Sequence, residues 1–288
     1  MHCAEIGDDE GEKGEILMQI KGVTTVFFSP TGGTARSAVA LGEALASRLG
    51  VKYRLLDFTL PAVRKQSFTF APDELVVVAS PVYAGRLPNK IQPDFAACLH
   101  GQSTPVVPLC VFGNRSPGDA VRELALLLEE NGFVTLGMGA FVCRHAFSDR
   151  VGAGRPNATD RAQLQQWAET LVQRLVQPDW KPLAFDRDTP ITPYYVPLQE
   201  DGTPAKFLKA KPLVRETCTK CGTCAARCPM GSIQPGDMQV TGICIKCQAC
   251  VRSCPAQARY FEDPQFLSHV AMLEQNYTAP AENCIWND

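Results

Sequence analysis

The chain has 288 residues, 45% of them hydrophobic and 20% charged, with a net charge of −2. That length suits two soluble domains, and the balanced charge lacks the basic excess of a nucleic-acid-binding face. No apolar run approaches the ~20 residues of a membrane-spanning helix, so membrane insertion is not expected. The opening MHCAEIGDDEGEKGE is acidic where an export signal is basic and then apolar, which predicts a cytoplasmic protein.

In chain order, residues 1–20 read as a disordered acidic lead-in. From 21 to 177, short apolar runs alternate with helical patterns. Val23–Phe28 reads as a strand, Gly33–Leu49 as a helix and Val51–Leu56 as a second strand. Glu74–Ala79 is nearly all apolar, as in a strand buried on both faces. Pro88–His100 suits a short helix, Pro105–Phe112 a strand, and Pro117–Asn131 an amphipathic helix closed by Gly132. Val134–Cys143 is the expected fifth strand, and Asp160 the expected cap of a helix running to about Val176. Five strands alternating with helices predict a doubly wound α/β domain on a parallel sheet.

Between 178 and 216, seven prolines break every helical pattern, so this stretch reads as an extended connector. Its aromatic residues suit packing over the first domain. Residues 217–263 carry an internal repeat, in which CTKCGTCAARCP returns as CIKCQACVRSCP 26 residues later. Residues 264–288 form a tail with one expected helix, around Gln265–Gln275.

Of 13 cysteines, eight lie between Cys218 and Cys254. Cys218, Cys221, Cys224 and Cys228-Pro229 give C-x2-C-x2-C-x3-C-P, and Cys244, Cys247, Cys250 and Cys254-Pro255 repeat it. Three cysteines three residues apart can wrap one side of a compact inorganic cube from a single loop, leaving the fourth to point elsewhere. Structural zinc is the alternative, although zinc sites use two spaced pairs and have no need of a third cysteine followed by C-P. Cys110 and Cys143 read as small buried hydrophobes in strands.

The repeat resembles the two-cluster 4Fe–4S ferredoxins, small α+β domains in which the fourth cysteine of each run ligates the other cluster. That resemblance implies one set of Cys218, Cys221, Cys224 and Cys254, and another of Cys244, Cys247, Cys250 and Cys228.

After the first strand, Ser29-Pro30-Thr31-Gly32-Gly33-Thr34 opens into a helix. Backbone amides, a helix N-terminus and hydroxyls together make an anion site. The loop has neither the lysine of a P-loop nor the spacing of a dinucleotide loop. It resembles the phosphate loop of flavodoxins, which implies FMN and a sheet of order 2-1-3-4-5. Two further loops would then flank the flavin at the switch point of the sheet. They are Ser80-Pro81-Val82-Tyr83-Ala84-Gly85, with Tyr83 as a stacking candidate, and Gly113-Asn114-Arg115, with backbone near the pyrimidine end. The alternative is the same fold without FMN, its loops serving as plain turns. His145 and the Gly-rich segment Arg150–Asp160 fall near the same edge, each readable as an ordinary loop feature.

The whole order resembles a family of bacterial flavodoxin–ferredoxin fusion proteins, over roughly Val23 to Phe261. This implies electron transfer between redox partner proteins, or an FMN-dependent reductase of a small molecule fed by its own clusters. From Lys209 to Glu262 the net charge is +5, which points to partners acidic at the docking face.

Overall fold

The structure, a computed structural model, describes residues 19–287. The acidic lead-in falls outside them up to residue 18. Ile20 is already buried against the first domain, and the amide of Lys21 donates to the Asp73 carbonyl.

Strand β1 (Gly22–Phe27) leads through a glycine loop into α1 (Gly33–Leu49). Gly50 ends that helix at φ 65, its amide returning to the carbonyls of Ala46 and Ser47. Next come β2 (Lys52–Asp57), β3 (Glu74–Pro81), α2 (Gln92–Cys98), β4 (Thr104–Phe112) and α3 (Ala120–Glu130). Then follow β5 (Met138–Val142), α4 (Ala158–Leu175), α5 (Pro264–Asn276) and β6 (Cys284–Trp286).

Across the sheet the strands run β2-β1-β3-β4-β5-β6. The first five pair in parallel and β6 is antiparallel to β5. Every residue of β4 is buried, because helices cover both faces of the central strands. One face carries Phe58, Phe95, Leu124 and Leu128, and the other Leu41, Leu45, Trp167 and Leu171. In a sheet so wound, the loops at the carboxyl ends of β1, β3 and β4 open on one edge, where ligands bind.

Three expectations need correction. Asn157, not Asp160, caps α4: its side chain accepts from the Asp160 amide, while Asp160 returns a bond to the Asn157 amide. The stretch read as one strand from Val134 to Cys143 is two, Phe133–Thr135 and β5, because the chain turns at Leu136-Gly137. The tail does more than form a helix. It supplies β6, which covers an edge of β5 that would otherwise lie open. The connector does run without helix, and its end belongs to the cysteine-rich module, where Leu213–Val214 pairs with Arg259–Tyr260.

Asp160 holds the tail in place. It is 1% exposed and ion-paired with Arg155, and it accepts from the Asn283 side chain at 2.8 Å. Asn283 in turn accepts from the Val142 amide, also at 2.8 Å. Burial pushes the Asp160 pKa up, but the bonds from Arg155, Asn157 and Asn283 outweigh it and leave it below the ordinary carboxylate value. Asp160 therefore stabilises the fold fully above its unfolded value of 3.8, and this is lost as pH falls through the lower folded value. Arg155→Ala strands a buried carboxylate and should cost about 3–5 kcal/mol in denaturant unfolding at neutral pH. A cost below about 1 kcal/mol, the scale of exposed pairs, would show that the pair behaves as a surface contact.

Candidate functional site

The loop after β1 carries the residues expected to hold an anion. Gly32 sits at φ 82 and turns the chain into α1. The Ser29 hydroxyl accepts from the Ala35 amide at 2.9 Å, and the Ser29 amide donates to Thr59 Oγ1 at 3.0 Å. Ser29 is thus occupied in shaping the loop. Gly33 and Thr34 open the first turn of α1, where no intrahelical carbonyl is available to their amides. A side chain at Gly33 would meet Cys143 Sγ at 3.0 Å, so the loop lies close against the end of β5. Burial pushes the Cys143 thiol up to about 11, against the opposing charges of Arg36, Arg144 and Arg155.

The two flanking loops occupy the same edge. Ser80 is buried, its hydroxyl on the Pro81 carbonyl, and the Val82 amide donates to Val111. Tyr83 and Arg86 exchange backbone bonds around Ala84 and Gly85, which lie at φ 51 and 79. Gly113 leaves room for the His145 ring, whose carbon would lie 2.3 Å from any Cβ placed there. The expectation for Asn114 concerns its backbone, and its side chain turns to the tail. Its amide donates to the carbonyls of Tyr277 and Ala279, and its oxygen accepts from the Ala281 amide, so the side chain is committed to the tail. Arg115 stacks on Tyr195, 3.8 Å from the ring centre. His145 Nδ1 accepts from the Phe147 amide, which places the ring proton on Nε2, and burial holds its pKa down at about 4.

The eight clustered cysteines line two hollows. Cys218, Cys221, Cys224 and Cys254 line one, and Cys228, Cys244, Cys247 and Cys250 line the other, each partly open to solvent. Each hollow therefore takes three cysteines from one motif and the fourth from the other. Matched backbone amides aim at the two exchanged sulfurs: Ser232 N donates to Cys228 Sγ at 3.3 Å, and Ala258 N to Cys254 Sγ at 3.2 Å. The first hollow has an exposed member, Cys221, whereas burial pushes the Cys250 thiol in the second up to about 12. Among the described residues, no three His, Cys, Asp or Glu side chains converge tightly enough to hold a single metal ion.

Arg259 lies at these sulfurs. It is 4% exposed, donates to Cys224 Sγ at 3.4 Å, and its charge acts on Cys250. Its Nε has no partner, and among the described residues no carboxylate pairs with it. A buried guanidinium without a carboxylate is costly unless other negative charge stands beside it. Its other donors meet the carbonyls of Pro212 and Met238, and the Cys224 sulfur stands beside it.

The second hollow abuts the first domain. Met230 and Ile245, two of its lining residues, pack on the core around Phe58 and Phe70. Burial pushes the Tyr83 phenol well above its ordinary range, with further upward effects from Cys247 and Cys244. Arg64 makes the junction. It is 8% exposed, pairs with Asp94, and donates to the carbonyls of Phe58, Thr59 and Pro229. Thr59 is the residue that holds Ser29, so one guanidinium connects the glycine loop to the cysteine module.

These features define a doubly wound domain with a glycine loop between β1 and α1, joined to a module with two four-cysteine hollows. No family model and no curated protein matches the chain. Among solved structures it is similar to a flavodoxin from the domain Archaea, at 14% identity and TM-score 0.39, over 54% of this chain and 99% of that one. An NADH:FMN oxidoreductase in its apo form gives 17%, 0.39, 58% and 97% for the same quantities. The two-electron reduced flavodoxin of Megasphaera elsdenii gives 18%, 0.34, 51% and 97%. Each likeness falls on the N-terminal half and is one of fold alone.

Sequence reasoning missed Arg64, Thr59, Tyr195 and Arg259 as site residues. None carries a local signal, since each acts on a partner distant in the chain. Arg64→Ala removes donors from three carbonyls, each worth about 1–3 kcal/mol when left buried and unsatisfied. Amide exchange should then quicken together in the segments around Thr59 and around Pro229. Faster exchange at only one of them would mean that Arg64 does not join the two.

Proposed function

We propose that the chain carries electrons through two 4Fe–4S clusters and FMN, between redox partner proteins. The observation that carries this reading is the exchange of the fourth cysteine between two hollows, each rimmed by four sulfurs. Four sulfurs at each hollow suit a cluster whose four irons each take one thiolate, whereas zinc would need all of them within about 2.3 Å of a single point. Cys218, Cys221, Cys224 and Cys254 would hold one cluster, and Cys244, Cys247, Cys250 and Cys228 the other. The amides of Ser232 and Ala258 and the Arg259 guanidinium would stabilise the thiolates, a source of higher reduction potential.

The resemblance of the Ser29–Thr34 loop to a flavodoxin phosphate loop supports FMN. In this reading Thr31, Gly32, Gly33 and Thr34 take the phosphate, while Pro81, Val82, Tyr83, Ala84 and Gly85 line one side and Gly113 and Arg115 the other. Bound there, FMN supplies the link between one-electron and two-electron chemistry. Cys247 and Cys244 of the second hollow act on Tyr83, which suits a short route between loop and hollow. The connector favours a carrier over a reductase of small molecules: Tyr195 N bonds the Ala84 carbonyl and the Tyr194 hydroxyl bonds Leu87, laying a strap along the flavin loops.

Anaerobically reconstituted protein should hold about eight irons and eight acid-labile sulfides per chain. Cys254→Ala should damage the cluster held by Cys218, Cys221 and Cys224, and spectroscopic loss confined to the Cys244 side would contradict the exchange. Stoichiometric zinc without visible absorption would overturn the reading as a whole.

The flavin is tested separately. Thr31→Ala with Thr34→Ala removes two hydroxyl donors to a charged acceptor, each worth roughly 1.5–3 kcal/mol. FMN binding should weaken by about two to four powers of ten while riboflavin binding barely changes. Flavin fluorescence titrations on apo protein read both ligands. Equal losses for the two would mean that the loop does not read the phosphate.

A further inference from the structure

We propose that the face made by residues 206–211 and 240–246 is the docking surface for an acidic redox protein, set over the second cysteine hollow. The inference rests on the electron-transfer reading and adds to it where the partner sits and what recognises it.

Leu208 is 90% exposed and Ile243 54%, both costly positions for large apolar side chains left in water. Ala205, Phe207 and Ala210 are buried and anchor the first segment, so Lys206, Leu208, Lys209 and Lys211 face outward. Lys246 Nζ donates to the Leu208 carbonyl at 2.7 Å and to that of Cys244 at 3.3 Å. Lys211 Nζ donates to the Val240 carbonyl at 3.0 Å. These bonds fasten the two segments side by side, and Ile243 lines the second hollow together with Cys244. Neither segment contains an acidic residue. Asp263 is the carboxylate that acts on Lys246, and it lies outside both.

An apolar centre with a lysine rim is complementary to a protein with an apolar spot inside an acidic rim. Such complementarity speeds encounter and fixes orientation. The position beside Cys244 gives a redox protein a reason to dock here, because Ile243, Cys244 and Lys246 themselves line the second hollow. An anionic bilayer would also attract lysines, but two apolar side chains give it little to hold.

The test uses the full chain, reconstituted with iron, and a plant-type [2Fe–2S] ferredoxin as the acidic probe, with binding followed by calorimetry at several salt concentrations. The wild type should bind, more weakly as salt rises. Lys209→Glu with Lys211→Glu should weaken binding by about tenfold or more, and Leu208→Ser by about threefold. The remote pair Lys52→Glu with Lys181→Glu, of the same net charge, should change it by less than about twofold. Equal losses for the near and remote pairs, or no binding by the wild type, would overturn the proposal. So would tighter binding to phosphatidylserine vesicles than to the ferredoxin. Iron measured on the same samples separates the two readings. Full iron with no patch effect removes the docking surface alone, and patch-dependent binding without iron removes the electron-transfer reading alone.

Discussion

A guanidinium taken out of water must be met on nearly every donor, and Arg64 is met by carbonyls from both halves of the molecule. It takes Phe58 and Thr59 from the loop after β2, Pro229 from the first cysteine motif, and Asp94 from α2. The burial cost enforces the geometry, because moving the cysteine module away would leave those groups unsatisfied. Through Thr59 the same residue sets the position of Ser29, and so of the loop that opens α1. The glycine loop and the second hollow are therefore placed by one interaction rather than by two independent folds.

Charge is arranged on the same principle around the sulfurs. Arg259 is buried with no carboxylate, and its neighbours are cysteines that lie on both sides of the exchange between hollows. In a thiol-only state this would be a poor use of a cation. In the proposed cluster-bound state the guanidinium would compensate the thiolates, and the amides of Ser232 and Ala258 would add donors at the exchanged sulfurs. Each hollow has one buried cysteine, Cys224 and Cys250, and Cys221 of the first faces solvent.

Local patterns were legible in the sequence. Helix α1 carries its own stop at Gly50, β3 and β4 are read from apolar continuity, and the cysteine spacing is a motif because one loop must present three sulfurs at once. What was not legible depends on distance along the chain. Arg64 and Pro229 are 165 residues apart, and Asn114 and Ala281 are 167 apart, so neither contact leaves a periodic trace. The three residues of β6 are too short to announce a strand without the β5 edge they cover. Asp160 misled because an aspartate at the third helical position looks like a cap until Asn157 is seen to take that role.

The central claim is that loop and hollow act as one redox unit within a single chain. The most direct measurement mixes the iron- and FMN-loaded protein with a limiting amount of reductant and follows cluster and flavin absorbance as electrons redistribute, over a range of protein concentrations. Placement through Arg64 predicts a redistribution rate independent of concentration, because the transfer is internal. A rate rising in proportion to protein concentration would show that electrons pass between molecules, and would contradict the account.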